Sequence, residues 1–218
     1  MHAPVSYKLL QQQLWLSADR CIFWEEEKVL IVSDLHFGKT GHFRKSGIAV
    51  PQSVYKKDLQ RLFNQVQFFQ PRKLIVVGDL FHSRENKELE LFLKWRRDFP
   101  ELEILLVRGN HDILHRSWYS QADIHVTEEE LQVNQFRFRH DKETITQTAP
   151  QYLFSGHIHP GVRISGIGKQ SLRLPCFYFA RDFCVLPAFS AFTGTYLMEP
   201  EAGQNIFAIV ENKIVQLQ

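Results

Sequence analysis

Cysteine is scarce in this chain, with only three among 218 residues. Cys21, Cys176 and Cys184 form no CxxC pair and sit mostly in apolar surroundings. This argues against a disulfide framework or a cysteine zinc cluster and predicts packed thiols in a reducing cytoplasm. Long apolar runs are missing too. No stretch approaches the length of a membrane span, and the N-terminus lacks a continuous apolar core with a cleavage site. A soluble, cytoplasmic protein with no membrane partner is the expectation. Charge of one sign is also lacking: 26 Lys and Arg against 24 Asp and Glu leave a net charge of +2. Overall electrostatics therefore demand no nucleic-acid partner, although a local basic patch is compatible with this balance. Repeats, low-complexity tracts and long linkers are absent. With 44% hydrophobic and 23% charged residues, the chain can bury one sizeable core, and a single domain over 1–218 is expected.

Strand-like apolar runs recur at 14–18, 21–24, 29–33, 74–77, 104–107, 135–139 and 153–155. Two helical patterns separate the early ones. The stretch 51–69 spaces Val54, Leu59, Leu62, Phe63 and Val66 on one face behind Pro51, and 85–99 does the same with Leu89, Phe92, Leu93 and Trp95 before Pro100. The first half thus reads as parallel βαβ units. The second half is poorer in helix, with short β-rich stretches at 162–164, 171–174, 176–180, 183–186, 206–210 and 213–217. The alternating pairs Phe136/Phe138 and Phe177/Phe179 read as sheet-core faces rather than base-stacking platforms.

Histidines and carboxylates, in contrast, are abundant and ordered. Asp34-Leu-His36, Gly78-Asp79-Leu-Phe-His82, Gly109-Asn110-His111-Asp112, His140 and Gly156-His157-Ile-His159 follow one another and hold six of the ten histidines. Asp34, Asp79, Asn110 and His157 each lie just beyond the carboxyl end of an apolar run, where α/β sheets build their sites. A glycine before Asp79, Asn110 and His157 is expected to let the backbone turn sharply. Such a mixed N/O donor set suits Mn²⁺, Fe or Zn²⁺ better than Ca²⁺ or Mg²⁺. His140 is bracketed by no motif, and His125 is its rival. His2 and His115 receive no role.

These motifs resemble the calcineurin-like metallophosphoesterase superfamily from Asp34 to His159. The resemblance implies an α/β fold, a four-layer α/β/β/α sandwich of two mixed sheets, with two divalent metal ions at one edge. One ion is implied to take Asp34, His36, Asp79 and His159, the other Asp79, Asn110, His140 and His157. A hydroxide bridging them would attack phosphorus in line. His111 matches the histidine that stabilises the transition state or protonates the leaving oxygen. His82 stands where many members have a second aspartate. The string Gly78-Asp79-Leu80-Phe81-His82 is similar to the motif of the superfamily's double-strand-break-repair nucleases, which implies a second catalytic imidazole at His82 that positions a nucleic-acid phosphate. Asp112 is left either to orient His111 or to cap the following segment.

A closer likeness lies in Ser33-Asp34-Leu35-His36-Phe37-Gly38-Lys39, His42-Phe43-Arg44-Lys45, Val50-Pro51 and Pro187-Ala188-Phe189-Ser190-Ala191-Phe192-Thr193-Gly194. This resembles the bacterial DNA-ligase-associated metallophosphoesterase family of the DNA damage response. The implied activity is endonucleolytic cleavage of DNA, single-stranded or flapped, in DNA repair, with manganese as the metal and DNA ligase and helicase as partners. Phosphoester hydrolysis of a small nucleotide or other small diester is the alternative, and a non-catalytic metal-binding scaffold stands third. Lys39, His42, Arg44 and Lys45 form either a flap that clamps a phosphodiester or a solvated basic loop. Arg108 either approaches the metals and substrate or pairs with a carboxylate. Arg163 and Lys169 read as scattered surface charge in preference to a basic track.

Overall fold

The computed structural model describes residues 3–39, 47, 53–82, 87–142, 151–166 and 170–217. The first sheet contains seven strands in chain order: β1 (Val5–Leu9), β2 (Gln12–Ser17), β3 (Cys21–Trp24), β4 (Val29–Val32), β5 (Lys73–Val77), β6 (Glu103–Val107) and β7 (Ile124–Thr127). β1 to β4 form an antiparallel meander, and β4 to β7 run parallel. The parallel crossovers carry α1 (Ser53–Phe69), α2 (Lys87–Arg97) and α3 (Arg116–Gln121).

Continuous apolar runs in β4, β5 and β6 serve two cores, because successive side chains point to opposite faces. Leu30, Val32, Leu74, Val76, Ile104 and Leu106 face the helices, packing on Tyr55, Leu62 and Val66 of α1, Leu89, Phe92 and Trp95 of α2, and Tyr119 of α3. Val29, Ile31, Ile75, Val77 and Val107 face the second sheet. α1 ends where Gln70 turns left-handed (φ 47), its N–H closing on Val66 O at 2.9 Å, and Pro71 cannot continue the helix.

The second sheet comprises β8 (Leu131–Val133), β9 (Phe136–Arg139), β10 (Tyr152–Ser155), β11 (Pro160–Ser165), β12 (Ser171–Phe179), β13 (Phe183–Val185), β14 (Tyr196–Leu197), β15 (Asn205–Val210) and β16 (Lys213–Gln216). Its order is β14-β11-β12-β13-β10-β9-β8, with β15 on β12 and β16 on β15. Phe136, Phe138, Phe154, Phe177, Phe179 and Phe207 point inward against the first sheet, as the alternation predicts. Each buried phenyl stabilises by about 1.5–3 kcal/mol, so this aromatic face holds the two sheets together. The three cysteines are buried free thiols.

The expected α/β class with two mixed sheets is present, and all three described helices pack on the outer face of the first sheet. The outer face of the second carries Val162, Cys176, Tyr178, Val185, Ile206 and Ala208, and among the described residues no helix covers it. The stretches 171–174 and 176–180, read from sequence as two strands, form one. β12 pairs with β11 through Pro175 and then with β15 from Cys176 onward. Proline sits at that exchange of partners, where a missing N–H costs the ladder least. β1, β7, β8 and β14 escaped the sequence reading because they are short or polar and lie toward sheet edges.

Candidate metal centre

Three parallel strands of the first sheet and two of the second lead to the candidate ligands. β4 leads to Asp34 and His36, β5 to Asp79, β6 to Asn110, β9 to His140, and β10 to His157 and His159. The first two loops pair with each other beyond their strands: His36 N donates to Asp79 O at 2.9 Å, Phe37 N to Leu80 O at 2.9 Å and His82 N to Phe37 O at 2.8 Å. Phe37 and Phe81, almost wholly buried beside Phe92, anchor this paired segment in the helical core.

Asp34, His36, Asp79, His157 and His159 all have left-handed backbones, with φ of 54, 50, 52, 67 and 54. Each such residue costs about 1–3 kcal/mol and persists only where its surroundings hold it. The sharp turns are thus made by the candidate ligands themselves. Only Gly78 of the three preceding glycines has a positive φ, of 79. Gly156 instead supplies room: a Cβ there would lie 1.8 Å from Ser33 Oγ and 2.6 Å from Asp34 Oδ2.

Two clusters result. In one, Asp34 Oδ1 lies 3.1 Å from His159 Nε2, and His36 Nε2 lies 3.4 Å from the same nitrogen. In the other, His140 Nε2 lies 3.4 Å from Asp79 Oδ2, 3.3 Å from His157 Nδ1 and 3.2 Å from Asn110 Oδ1. Atoms bound at about 2.0–2.2 Å to one cation, at tetrahedral or octahedral angles, sit roughly 2.8–3.6 Å apart. These spacings match, and Asp34 Oδ1 to His36 Nε2, at 4.0 Å, is somewhat wider. Asp34 Oδ1 is buried without an aligned hydrogen bond, an arrangement costly for an isolated polar atom and ordinary for a cation's ligand. Asp79 Oδ2 also lies 3.9 Å from Nδ1 of His36, on the far side of that ring from the first cluster's Nε2. The residues present fit a pair of divalent cations with mixed N/O shells.

Electrostatics separate the clusters. Burial works against a charge on His140, but Asp79 and Asp34 overcome it and push its pKa up to about 9. At His36 burial prevails over the same two carboxylates and holds the imidazole down at about 3. Burial also opposes the charge on Asp79, yet His140 keeps it at about 2; Asp34 is likewise held below the usual carboxylate range by His159 and His140 against its burial.

Beside these clusters stand two further imidazoles. His82 and His111 lie 4.2 Å apart between ring centroids, 5.4 and 5.5 Å from His36. Asp112 neither orients the His111 ring nor caps α3, whose N-cap is His115. Its wholly buried carboxylate accepts Phe81 N at 3.0 Å and Gly109 N at 2.9 Å, stitching the second loop to the third. Burial pushes its pKa up to about 7 against those two donors. Arg108 donates to Asp112 O at 3.0 Å and pairs with Glu128 at 3.0 Å, while bordering a cleft with Asn110, His140 and His157. Lys39 is half-buried; burial lowers its pKa, while Asp34 and Asp79 act in the opposite sense. His42, Arg44 and Lys45 lie outside the described residues. His125 is exposed in the middle of β7, paired with Leu105, whereas His140 joins the second cluster. Sequence reasoning missed the support residues. Ser33 Oγ sits 2.6 Å from Asp34 Oδ2 and 2.7 Å from Val77 O, and nothing local marks a serine for that task.

Residues 27–149, more than half the chain, match a family model described as calcineurin-like phosphoesterase. Among solved structures, the nuclease MPE of Pseudomonas putida is similar at 27% identity and a TM-score of 0.82, over 97% of this chain and 100% of that one. Yfce, a phosphoesterase from E. coli, aligns at 14% identity and a TM-score of 0.46, over 87% of this chain and 97% of its own. No curated protein sequence matches.

Proposed function

The chain belongs to the calcineurin-like phosphoesterase family, and from that premise we propose that it is a two-metal phosphodiesterase that cuts DNA. The observation that carries this reading is the pair of clusters at one rim, Asp34–His36–His159 and Asp79–His140–His157, with Asp79 Oδ2 also 3.9 Å from the His36 ring. Asn110 completes the second set. Bound there, two divalent cations, Mn²⁺ first and Fe or Zn²⁺ as alternatives, supply an activated water and offset the charge of the phosphoryl oxygens.

The chain's own residues do the rest. Asp79 Oδ1 accepts His111 N at 2.9 Å, which fixes the His111 loop against the cation clusters. His111 then gives a proton to the leaving oxygen, work for which imidazole is suited at neutral pH. His82, packed against it, contacts a non-bridging phosphate oxygen. What favours DNA over a small diester is likeness to a nuclease along nearly the whole chain, together with an imidazole at position 82.

The test is a nuclease assay with Mn²⁺ on circular single-stranded DNA beside a linear duplex, with a small aryl phosphodiester in parallel. Wild type should open the circle, and Asp79→Asn should not. His111→Ala should lower turnover by about 10²–10⁴-fold while still taking up two Mn²⁺. Hydrolysis of the small diester with both DNAs left intact would overturn the assignment of substrate.

A further inference from the structure

Between β13 and β14 the chain crosses from the second sheet to the carboxyl end of β4. Leu186 N donates to Ser155 O at 2.8 Å, Phe189 N to Ser33 O at 2.8 Å, Ser190 N to Asp34 O at 3.1 Å and Tyr196 N to His159 O at 2.9 Å. One segment therefore holds the backbones of two members of the Asp34–His36–His159 cluster. Both are left-handed at φ 54, a conformation that must be maintained from outside.

The anchor of this crossing is Asp58 on α1, a carboxylate only 4% exposed. Ser190 Oγ donates to Asp58 Oδ2 at 3.0 Å, and Ala191 N approaches the same oxygen at 3.3 Å. Arg61 lies 3.2 Å from Asp58 Oδ1 and also donates to Phe189 O. Arg20 donates to Ala188 O at 3.1 Å and to Ser190 O at 2.7 Å. A buried carboxylate with two guanidiniums thus grips the segment from one side, and the segment grips the cluster from the other. The second cluster does not contact this segment in the same way: Asp79 O accepts His36 N at 2.9 Å, His140 O accepts Gly156 N at 3.1 Å, and it meets the first cluster where His157 N donates to Asp34 Oδ2 at 3.1 Å.

We propose that Asp58 is a positioning residue which, through Ser190, fixes the segment that holds Asp34 and His159 and so sets the cation affinity of that cluster more than that of the other. This deepens the two-metal reading and rests on it. Loss of a partner just outside a metal's ligands typically weakens the metal by about 10–100-fold, and here the loss should fall mainly on one ion of the two.

The experiment measures free Mn²⁺ by electron paramagnetic resonance against the full chain. Two backgrounds isolate the clusters: His157→Gln leaves the Asp34 cluster intact, and His159→Gln leaves the Asp79 cluster intact. Asp58→Asn should weaken the remaining ion by about 10–100-fold in the first background and by less than about threefold in the second. Ser190→Ala removes one hydroxyl and no charge. It should act in the same direction, and it carries the test if circular dichroism shows that Asp58→Asn fails to fold. Equal weakening in both backgrounds, or none in either, overturns the positioning role while two-ion binding by wild type leaves the two-metal reading standing. Wild type that takes up no Mn²⁺ overturns both.

Discussion

Acidification should weaken one cation cluster and spare the ring that lies beside it. His140 Nε2 must be free of its proton to bind a cation, and its neighbours Asp79 and Asp34 hold that proton up to about pH 9. At pH 7 about one His140 in a hundred is then free, so the affinity of the Asp79–His140–His157 cluster stands about 100-fold below its limit. Each further unit of acid costs about another tenfold. His36, held at about 3 by its burial, imposes no such penalty at neutral pH. Isothermal titration of Mn²⁺ into metal-free protein, run in two buffers of different ionisation enthalpy, counts the protons expelled. About one should leave with the cation of the second cluster at pH 7, and close to none above about pH 10. His140→Gln should abolish that release. An affinity that stays flat from pH 6 to 8, or a proton release that survives His140→Gln, refutes the reasoning.

The same proton governs the stability of the metal-free chain. The folded pKa of His140, about 9, exceeds its ordinary value of 6.5, so the stability it contributes is complete below 6.5 and lost as pH rises through 9, about 3 kcal/mol in all. Between about 4 and 6.5 two buried groups oppose each other: Asp112, raised to about 7, loses stability with rising pH, while His36, lowered to about 3, gains it. The urea midpoint should therefore change little between about pH 4 and 6.5 and fall above that; a midpoint constant from 6.5 to 9 would contradict this. Gly156→Ala should destabilise by about 1–3 kcal/mol and weaken the Asp34 cluster, since its Cβ would meet Ser33 Oγ at 1.8 Å. Unchanged melting and unchanged Mn²⁺ uptake would show that the loop yields without cost.

Much of the centre was readable from residue type and order. After glycine, a left-handed backbone is tolerated best by Asp, Asn and His. The turns at Asp34, Asp79 and His157 could therefore be made by ligand-type residues, just past strands that apolar runs announce. The role first given to the glycines was only partly right. Positive φ belongs to Gly78, whereas Gly156 is required by a clash with a serine more than a hundred positions away. Asp112 looked like a cap or an orienting group, yet its oxygens take two loop amides, since a buried carboxylate goes where unpaired N–H groups are.

What the sequence determined alone is the chemistry on offer and the strand ends that carry it, because period and residue type are local properties. The tertiary structure decided which of these groups meet. His140 over His125 and the separation of one histidine near pKa 9 from another near 3 arise where the ends of the two sheets meet, and the hold of Asp58 on Ser190 arises where α1 meets the β13–β14 crossing. Distance and burial there depend on residues far apart along the chain, and no spacing within it encodes them.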